Sequence, residues 1–174
     1  MYYYSPFRNK YGTNPQKNSC PFCEVDTMSS QGVRDSVGIL IENDYYRWVV
    51  NYFPKFEGHT MVVPKRHITT LGSEQPDEII ARDELITHAS QTLTTLYPGA
   101  GVEIFLQTGE GSESSITHLH WHVVPALPKD PLRGFDKLGQ FFTIEEGKER
   151  VVVFPVAIEL AQEKLLSALA TVLK

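Results

Sequence analysis

The chain is short of cysteine, of positive charge and of long apolar runs, and each shortage excludes something. Two cysteines among 174 residues cannot build the disulfide framework of a small secreted fold. No run of 18 or more apolar residues occurs, so no membrane-spanning helix is expected. The opening stretch MYYYSPFRNKYGTNPQ lacks an apolar run behind a basic start; it does not read as a secretory signal, and a cytoplasmic address is expected. With 16 Lys and Arg against 21 Asp and Glu, duplex nucleic acid is not the expected partner. A local basic stretch such as PKRH could still meet the phosphates of a nucleotide. No repeat or low-complexity tract divides the chain, and its length suits one core.

What is present has a clear rhythm. Residues 1–19 are rich in Tyr, Pro, Asn and Gly without a sustained period, which predicts an irregular arm before a single domain over 20–174. VGILIEND, with Val37, Ile39 and Ile41 expected inside, then YRWVVNYF and HTMVVPK read as three strands of an antiparallel meander. FPKFEG supplies the loop between the last two. After GSEQPDE, Ile79, Ile86 and Leu93 recur at heptad spacing, with Ala89 and Leu96 beside them, up to YPG. That predicts a helix of about five turns with its stop signal. VEIFLQTG alternates again, and the C-terminal run turns helical after Pro155, with Ile158, Ala161, Leu165, Leu169 and Val172 on one stripe. The expected class is α+β: a mainly antiparallel sheet with a long helix and a C-terminal helix.

Half of the six histidines stand in THLHWHVV, residues 117–124. On a strand, His118, His120 and His122 would share one face at about 6.7 Å intervals, with Leu119, Trp121 and Val123 on the other. The outer two would lie about 13 Å apart, too far for both to bind one zinc. A solvated polar face explains one histidine well and three poorly, because exposed strand faces favour Thr, Lys or Glu. The Gly/Ser-rich loop GEGSESSI just before the histidines offers amides and hydroxyls that can hold an anion. Cys20 and Cys23, in CPFC, are spaced to share a Zn²⁺, which would need two more ligands; a thioredoxin-like redox pair and two unliganded thiols are the other readings.

HLHWHVV resembles the His-φ-His-φ-His-φ-φ signature of the histidine triad superfamily of nucleotide hydrolases and transferases. GHTMVVPKRH is similar to its Gly-His-x-φ-φ-φ-Pro-Lys-x-His stretch, and the likeness extends over roughly residues 20–126. VVNYFPKFEGHTMVVPKRH, with SPFRNKYG, looks closest to the zinc-containing diadenosine-polyphosphate phosphorylase/hydrolase-like branch. The resemblance implies a histidine triad fold and a homodimer. It also implies attack by His120 on the α-phosphorus of a nucleoside 5′-phosphate derivative, a dinucleoside polyphosphate among the candidates, through a nucleotidyl-histidine intermediate. A neutral imidazole is nucleophilic at pH 7, and covalent catalysis splits one hard displacement into two easier ones. His122 is then expected to hydrogen-bond the phosphate or the bridging oxygen, with Ser114, Ser115 and loop amides stabilising charge.

Residue by residue, the family's zinc ligands fall on Cys20, Cys23, His67 and His118, so a closed structural zinc and no organic cofactor are expected. His59 takes the place of the histidine flanking the active site, where it would contact phosphate or order the triad. A hydrogen-bonded buried histidine is the plainer alternative. Asn51 stands where relatives meet the ribose, although a strand-end Asn also bonds its own backbone. Gln107 replaces an Asn that faces the α-phosphate, and Glu113 replaces a Gly before the serines, where a carboxylate would repel phosphate unless turned away. His88, Lys65 and Arg66 read as ordinary surface or satisfied residues. A nucleotide-binding adaptor is the rival function, separated from an enzyme by covalent trapping at His120.

Overall fold

In the computed structural model the described residues are 3–4, 20–27, 38–52, 54–112, 114, 116–130, 134, 151–152 and 155–174. The elements are β1 (Tyr3–Tyr4), α1 (Pro21–Thr27), β2 (Ile39–Glu42), β3 (Tyr46–Val50), β4 (Thr60–Pro64), α2 (Pro76–Leu96), β5 (Gly101–Leu106), β6 (Trp121–Ala126), β7 (Val151–Val152) and α3 (Pro155–Val172). Five strands form an antiparallel sheet in the order β2-β3-β4-β6-β5. The expected meander is thus β2-β3-β4, and the histidine-bearing β6 inserts between β4 and β5. A second, parallel pair joins Tyr3–Tyr4 to Val151–Val152, which gives the N-terminal arm a strand pairing that its composition does not announce. The rest of that arm lies outside the described residues.

Why α2 starts and stops is plain in its sequence. Pro76 occupies the first turn, where its missing N–H costs nothing, and Asp77 and Glu78 complement the helix dipole. Gln75 and Glu78 close a capping box, with the Gln75 N–H donating to Glu78 Oε2 at 2.7 Å. Past the C-cap Tyr97, Gly99 takes φ +80°, a left-handed turn suited to glycine. The buried stripe is Ala81, Leu85, Ala89 and Leu93, a four-residue spacing, rather than the heptad line through Ile79. Ile79 is exposed, while Ile86 and Leu96 are partly buried against the core. The small alanines let the helix approach the sheet, and each buried leucine contributes about 2 kcal/mol.

The core lies between one face of the sheet and the two long helices. Tyr46, Trp48 and Val50 of β3, Val62 of β4 and Trp121 and Val123 of β6 join the α2 stripe and Leu165 and Leu169 of α3. Ala161 packs at the margin as its position in the stripe predicts, and Gln162 of α3 donates to the Ile39 carbonyl at 3.0 Å. The phase of β2 differs from expectation: Leu40 is buried and Ile39 and Ile41 only partly so. The β2–β3 register slips between Ile39 and Ile41, and a bulge of this kind re-aims the side chains beside it. Val37 lies outside the described residues. No helix among the described residues is long and apolar enough to cross a membrane.

Strand alternation gives the opposite face its content. Met61, His122 and Phe105 stand side by side across β4, β6 and β5, so the helices cover one face and the histidines lie on the other.

Candidate active site and metal centre

The histidine run is not one row on a strand. β6 begins only at Trp121, because the preceding residues bond elsewhere: the Leu119 N–H donates to the Ile68 carbonyl at 2.7 Å. His118, His120 and His122 are all buried, and Leu119, Trp121 and Val123 are core residues as expected.

His118 faces the cysteines. Its Nε2–H donates to the Pro64 carbonyl at 2.9 Å, which fixes the tautomer and turns the Nδ1 lone pair toward Cys20 Sγ at 3.3 Å and Cys23 Sγ at 3.5 Å. His67 Nδ1 lies 3.2 Å from Cys23 Sγ, and the four ligand atoms all fall within 4.8 Å of one another. A tetrahedral zinc with ordinary bond lengths spaces its ligands roughly 3.4 to 3.8 Å apart, so this donor set fits one. Burial, joined by the charges of His67, His120 and Arg47, holds the His118 pKa down to about 4, and a neutral imidazole is what a metal binds. Cys20 and Cys23 stand at the start of α1, where the Cys23 N–H donates to the Cys20 carbonyl at 3.0 Å. That turn brings both thiols to one side.

His120 is pinned differently. Its Nδ1–H donates to the His118 carbonyl at 2.9 Å, leaving the Nε2 lone pair without a hydrogen bond among the described residues. Burial lowers its pKa. The ring is therefore neutral at pH 7 and nucleophilic at Nε2.

The third tautomer follows by elimination. The Lys55 backbone N–H donates to His59 Nδ1 at 3.1 Å, so the His59 proton is on Nε2, which donates to His122 Nδ1 at 2.9 Å. His122 must then carry its proton on Nε2. Its ring centroid is 4.8 Å from that of His120, and Phe105 stacks on it at 4.8 Å and 22°. Asn51 lies 3.1 Å from the same His59 nitrogen and 3.4 Å from Met61 Sδ. Asn51 thus lies beside the His59–His122 pair.

Gly58 sets the backbone that presents His59. Its φ is +71°, and a Cβ there would stand 2.8 Å from the Pro125 ring and 2.9 Å from Tyr97, so a side chain is excluded twice over.

The Gly/Ser loop is braced from within. Gln107 Nε2 donates to the Ser112 carbonyl at 2.5 Å and Ser114 Oγ to the Ile116 carbonyl at 2.8 Å. Among the described residues neither side chain bonds a triad histidine. Ser115 and Glu113 lie outside the described residues. His88, on α2, is half-buried, and its Nδ1 has no partner among the described residues. Lys65 lies 3.7 Å from Glu42, and Arg66 pairs with Glu78; neither is an unpaired anion-steering charge.

Two further residues belong to the site. Phe22, between the cysteines, meets the rings of His118 at 5.5 Å and His120 at 5.3 Å, and Phe105 covers His122. Phe22 had a sequence signal, since it must travel with the two ligands that flank it. Phe105 had none, because its contact depends on the β5–β6 register.

The comparisons with known proteins bear on family and fold. A model of the HIT domain matches residues 34–129. The adenylylsulfatase HINT3 of Arabidopsis thaliana is 22% identical over 129 residues, covering 74% of this chain and 63% of that protein's length. Among solved structures, a Zn-bound histidine triad family protein from Mycobacterium smegmatis superposes at TM-score 0.62 with 21% identity, covering 88% of this chain and 95% of that one. A diadenosine triphosphate hydrolase of Plasmodium falciparum superposes at 0.56 with 17% identity, covering 77% and 75%.

Proposed function

Since the chain belongs to the HIT family, we propose that it is a nucleotide hydrolase or transferase working through a covalent intermediate on His120. The observation that carries this reading is the orientation of that ring: Nδ1–H held by the His118 carbonyl, and Nε2 unbonded among the described residues, beside His122.

His120 Nε2 attacks the α-phosphorus of a nucleoside 5′-phosphate derivative. The N–P bond forms as the bond from phosphorus to the bridging oxygen breaks, and the leaving phosphate departs with that electron pair. The His122 Nε2–H donates to the bridging oxygen as it leaves. The phosphorylated ring keeps its Nδ1 proton, and the His118 carbonyl stabilises the positive charge that develops there. Water then attacks the same phosphorus, the N–P bond breaks, and His120 returns neutral with a nucleoside monophosphate and one proton released. With inorganic phosphate as acceptor the product is a nucleoside diphosphate. Asn51, Gln107, Ser114 and Ser115 belong to this reading as nucleotide- and phosphate-binding residues, Gln107 through the loop it braces.

Zinc at Cys20, Cys23, His67 and His118 would supply a structural tie between the α1 segment and the sheet. No chemical step needs it. A homodimer in a reducing, cytoplasmic compartment completes the reading, where cysteines serve as metal ligands more often than in disulfides.

The test mixes the protein with α-³²P-labelled adenine and guanine dinucleoside polyphosphates, with and without phosphate, beside His120→Asn. Label trapped on the wild-type chain and absent from the variant supports the reading, and a nucleoside diphosphate formed only with phosphate selects phosphorolysis. Binding without label or product would replace the enzyme by a nucleotide-binding adaptor.

A further inference from the structure

We propose that Arg82, Glu74 and Tyr46 form a positioning assembly that grips Trp121 from the helix side of the sheet and so sets the aim of His120 and His122. The proposal rests on the nucleotidyl-transfer reading above.

Trp121 is the residue between the two histidines, and its side chain points away from them into the core. The Arg82 guanidinium of α2 stands 5.0 Å from the centre of its ring, within cation–π range. Tyr46 of β3 meets the same ring edge-on at 6.0 Å. Both are held by one carboxylate oxygen: Glu74 Oε1 accepts from Arg82 Nη1 at 2.7 Å and from the Tyr46 hydroxyl at 2.7 Å. Asp83 takes the Arg82 Nε–H at 2.9 Å.

Stability alone does not account for this cluster. The Glu74 side chain is 1% exposed, and buried ion clusters are often matched or bettered by apolar residues of the same volume. What such a cluster supplies is one fixed geometry. Burial and the bond to Glu74 push the Tyr46 pKa well above the usual phenol range, so its hydroxyl remains a donor.

Glu74 also closes the connection from β4 to α2. That connection contains His67, and its Ile68 carbonyl receives the Leu119 N–H. The holds on the histidine run thus include the Trp121 ring, gripped by the side chains that Glu74 bonds, and the Leu119 amide, bonded to the connection on which Glu74 stands. Displacing a reacting group by about 1 Å can cost on the order of 100-fold in rate.

The experiment compares Arg82→Met, Arg82→Lys and Tyr46→Phe with wild type by three measurements: kcat and KM on a dinucleoside polyphosphate, thermal unfolding, and ¹⁵N NMR of the histidine rings. Arg82→Met is expected to lower kcat about 10- to 100-fold with KM within about twofold. The His120 and His122 ring signals should shift from their single tautomers, and Arg82→Lys should recover most of the loss. Tyr46→Phe, which removes one hydroxyl and keeps the packing, should move kcat and the ring signals in the same direction by less; it carries the test if Arg82→Met does not fold.

Wild-type kcat with unchanged ring signals in a folded variant would overturn the proposal. So would a loss that only follows stability and that lysine does not repair. If the wild type neither turns over nor traps label, the functional reading fails by itself. The ring signals then still decide positioning: unchanged signals overturn it and shifted ones uphold it.

Discussion

His59 shows how one side chain sets the chemistry of another. It is 2% exposed and forms the middle of a chain from the Lys55 amide through both of its ring nitrogens to His122 Nδ1. Removing it takes away the bond to His122 Nδ1 that favours the Nε2 tautomer, the one that can donate toward a bridging oxygen. His59→Ala is expected to lower kcat about 10- to 100-fold with little change in KM, the usual scale for losing a partner that orients a functional histidine. His59→Asn, which can still donate toward Nδ1, should lose less. Steady-state kinetics of the two variants, with circular dichroism to confirm folding, checks this. The resemblance left two roles open for His59, phosphate contact and ordering of the triad, and the distances show its bonds to the Lys55 amide and to His122.

At the scale of elements, the start of α2 carries a titratable bond. Glu78 accepts from Arg66 Nε at 2.9 Å and Nη2 at 2.7 Å and from the Gln75 N–H, and these bonds, Arg66 first, lower its pKa from the ordinary value of 4.5. A carboxylate whose pKa is lower when folded contributes stability that is complete above the unfolded value and is lost as pH falls through the folded one. Glu78→Gln is therefore expected to destabilise by about 1 kcal/mol at neutral pH, the scale of a lost helix cap. The difference from wild type should shrink as the pH drops below about 4. Urea unfolding across pH 3 to 7 measures both.

Elements of this kind were legible because their signals are local. Proline, acidic residues and a Tyr-Pro-Gly stop bracket α2, and alternation marks β3 to β5. The phase of β2 was not legible, because the bulge that buries Leu40 in place of Ile39 and Ile41 depends on a partner strand. The histidine run misled in the same way. Its period is that of a strand, but His118 to His120 answer to the Ile68 and Pro64 carbonyls and to the cysteines. Cys20 and Cys23 announced themselves by spacing, whereas His67 and His118 became their partners only through the family resemblance. Arg82 and Glu74 carried no signal, because nothing in sequence ties them to Trp121.

At the scale of the molecule, the candidate metal centre would be a long-range tie. Its ligands come from residues 20, 23, 67 and 118, so zinc would close chain segments of some 44 and 51 residues, much as a cross-link does. One zinc per chain is expected by elemental analysis. Cys23→Ser should abolish it and lower the melting temperature, and chelation of wild type should produce the same drop. Zinc absent from protein purified without chelator would count against the site.

The sheet order has a consequence of its own for how the chain is made. β6 pairs with β4 across an interval of some 60 residues, so during synthesis β4 leaves the ribosome with one edge unpaired. It waits there for β6 while α2 and β5 are translated. All five residues of β4 are buried in the finished protein, which makes that waiting edge an adhesive one. The nascent chain thus passes through a window in which the strand that follows the Gly58–His59 turn is most exposed to chaperones and to its neighbours on the same message, and only the arrival of the histidine run closes it.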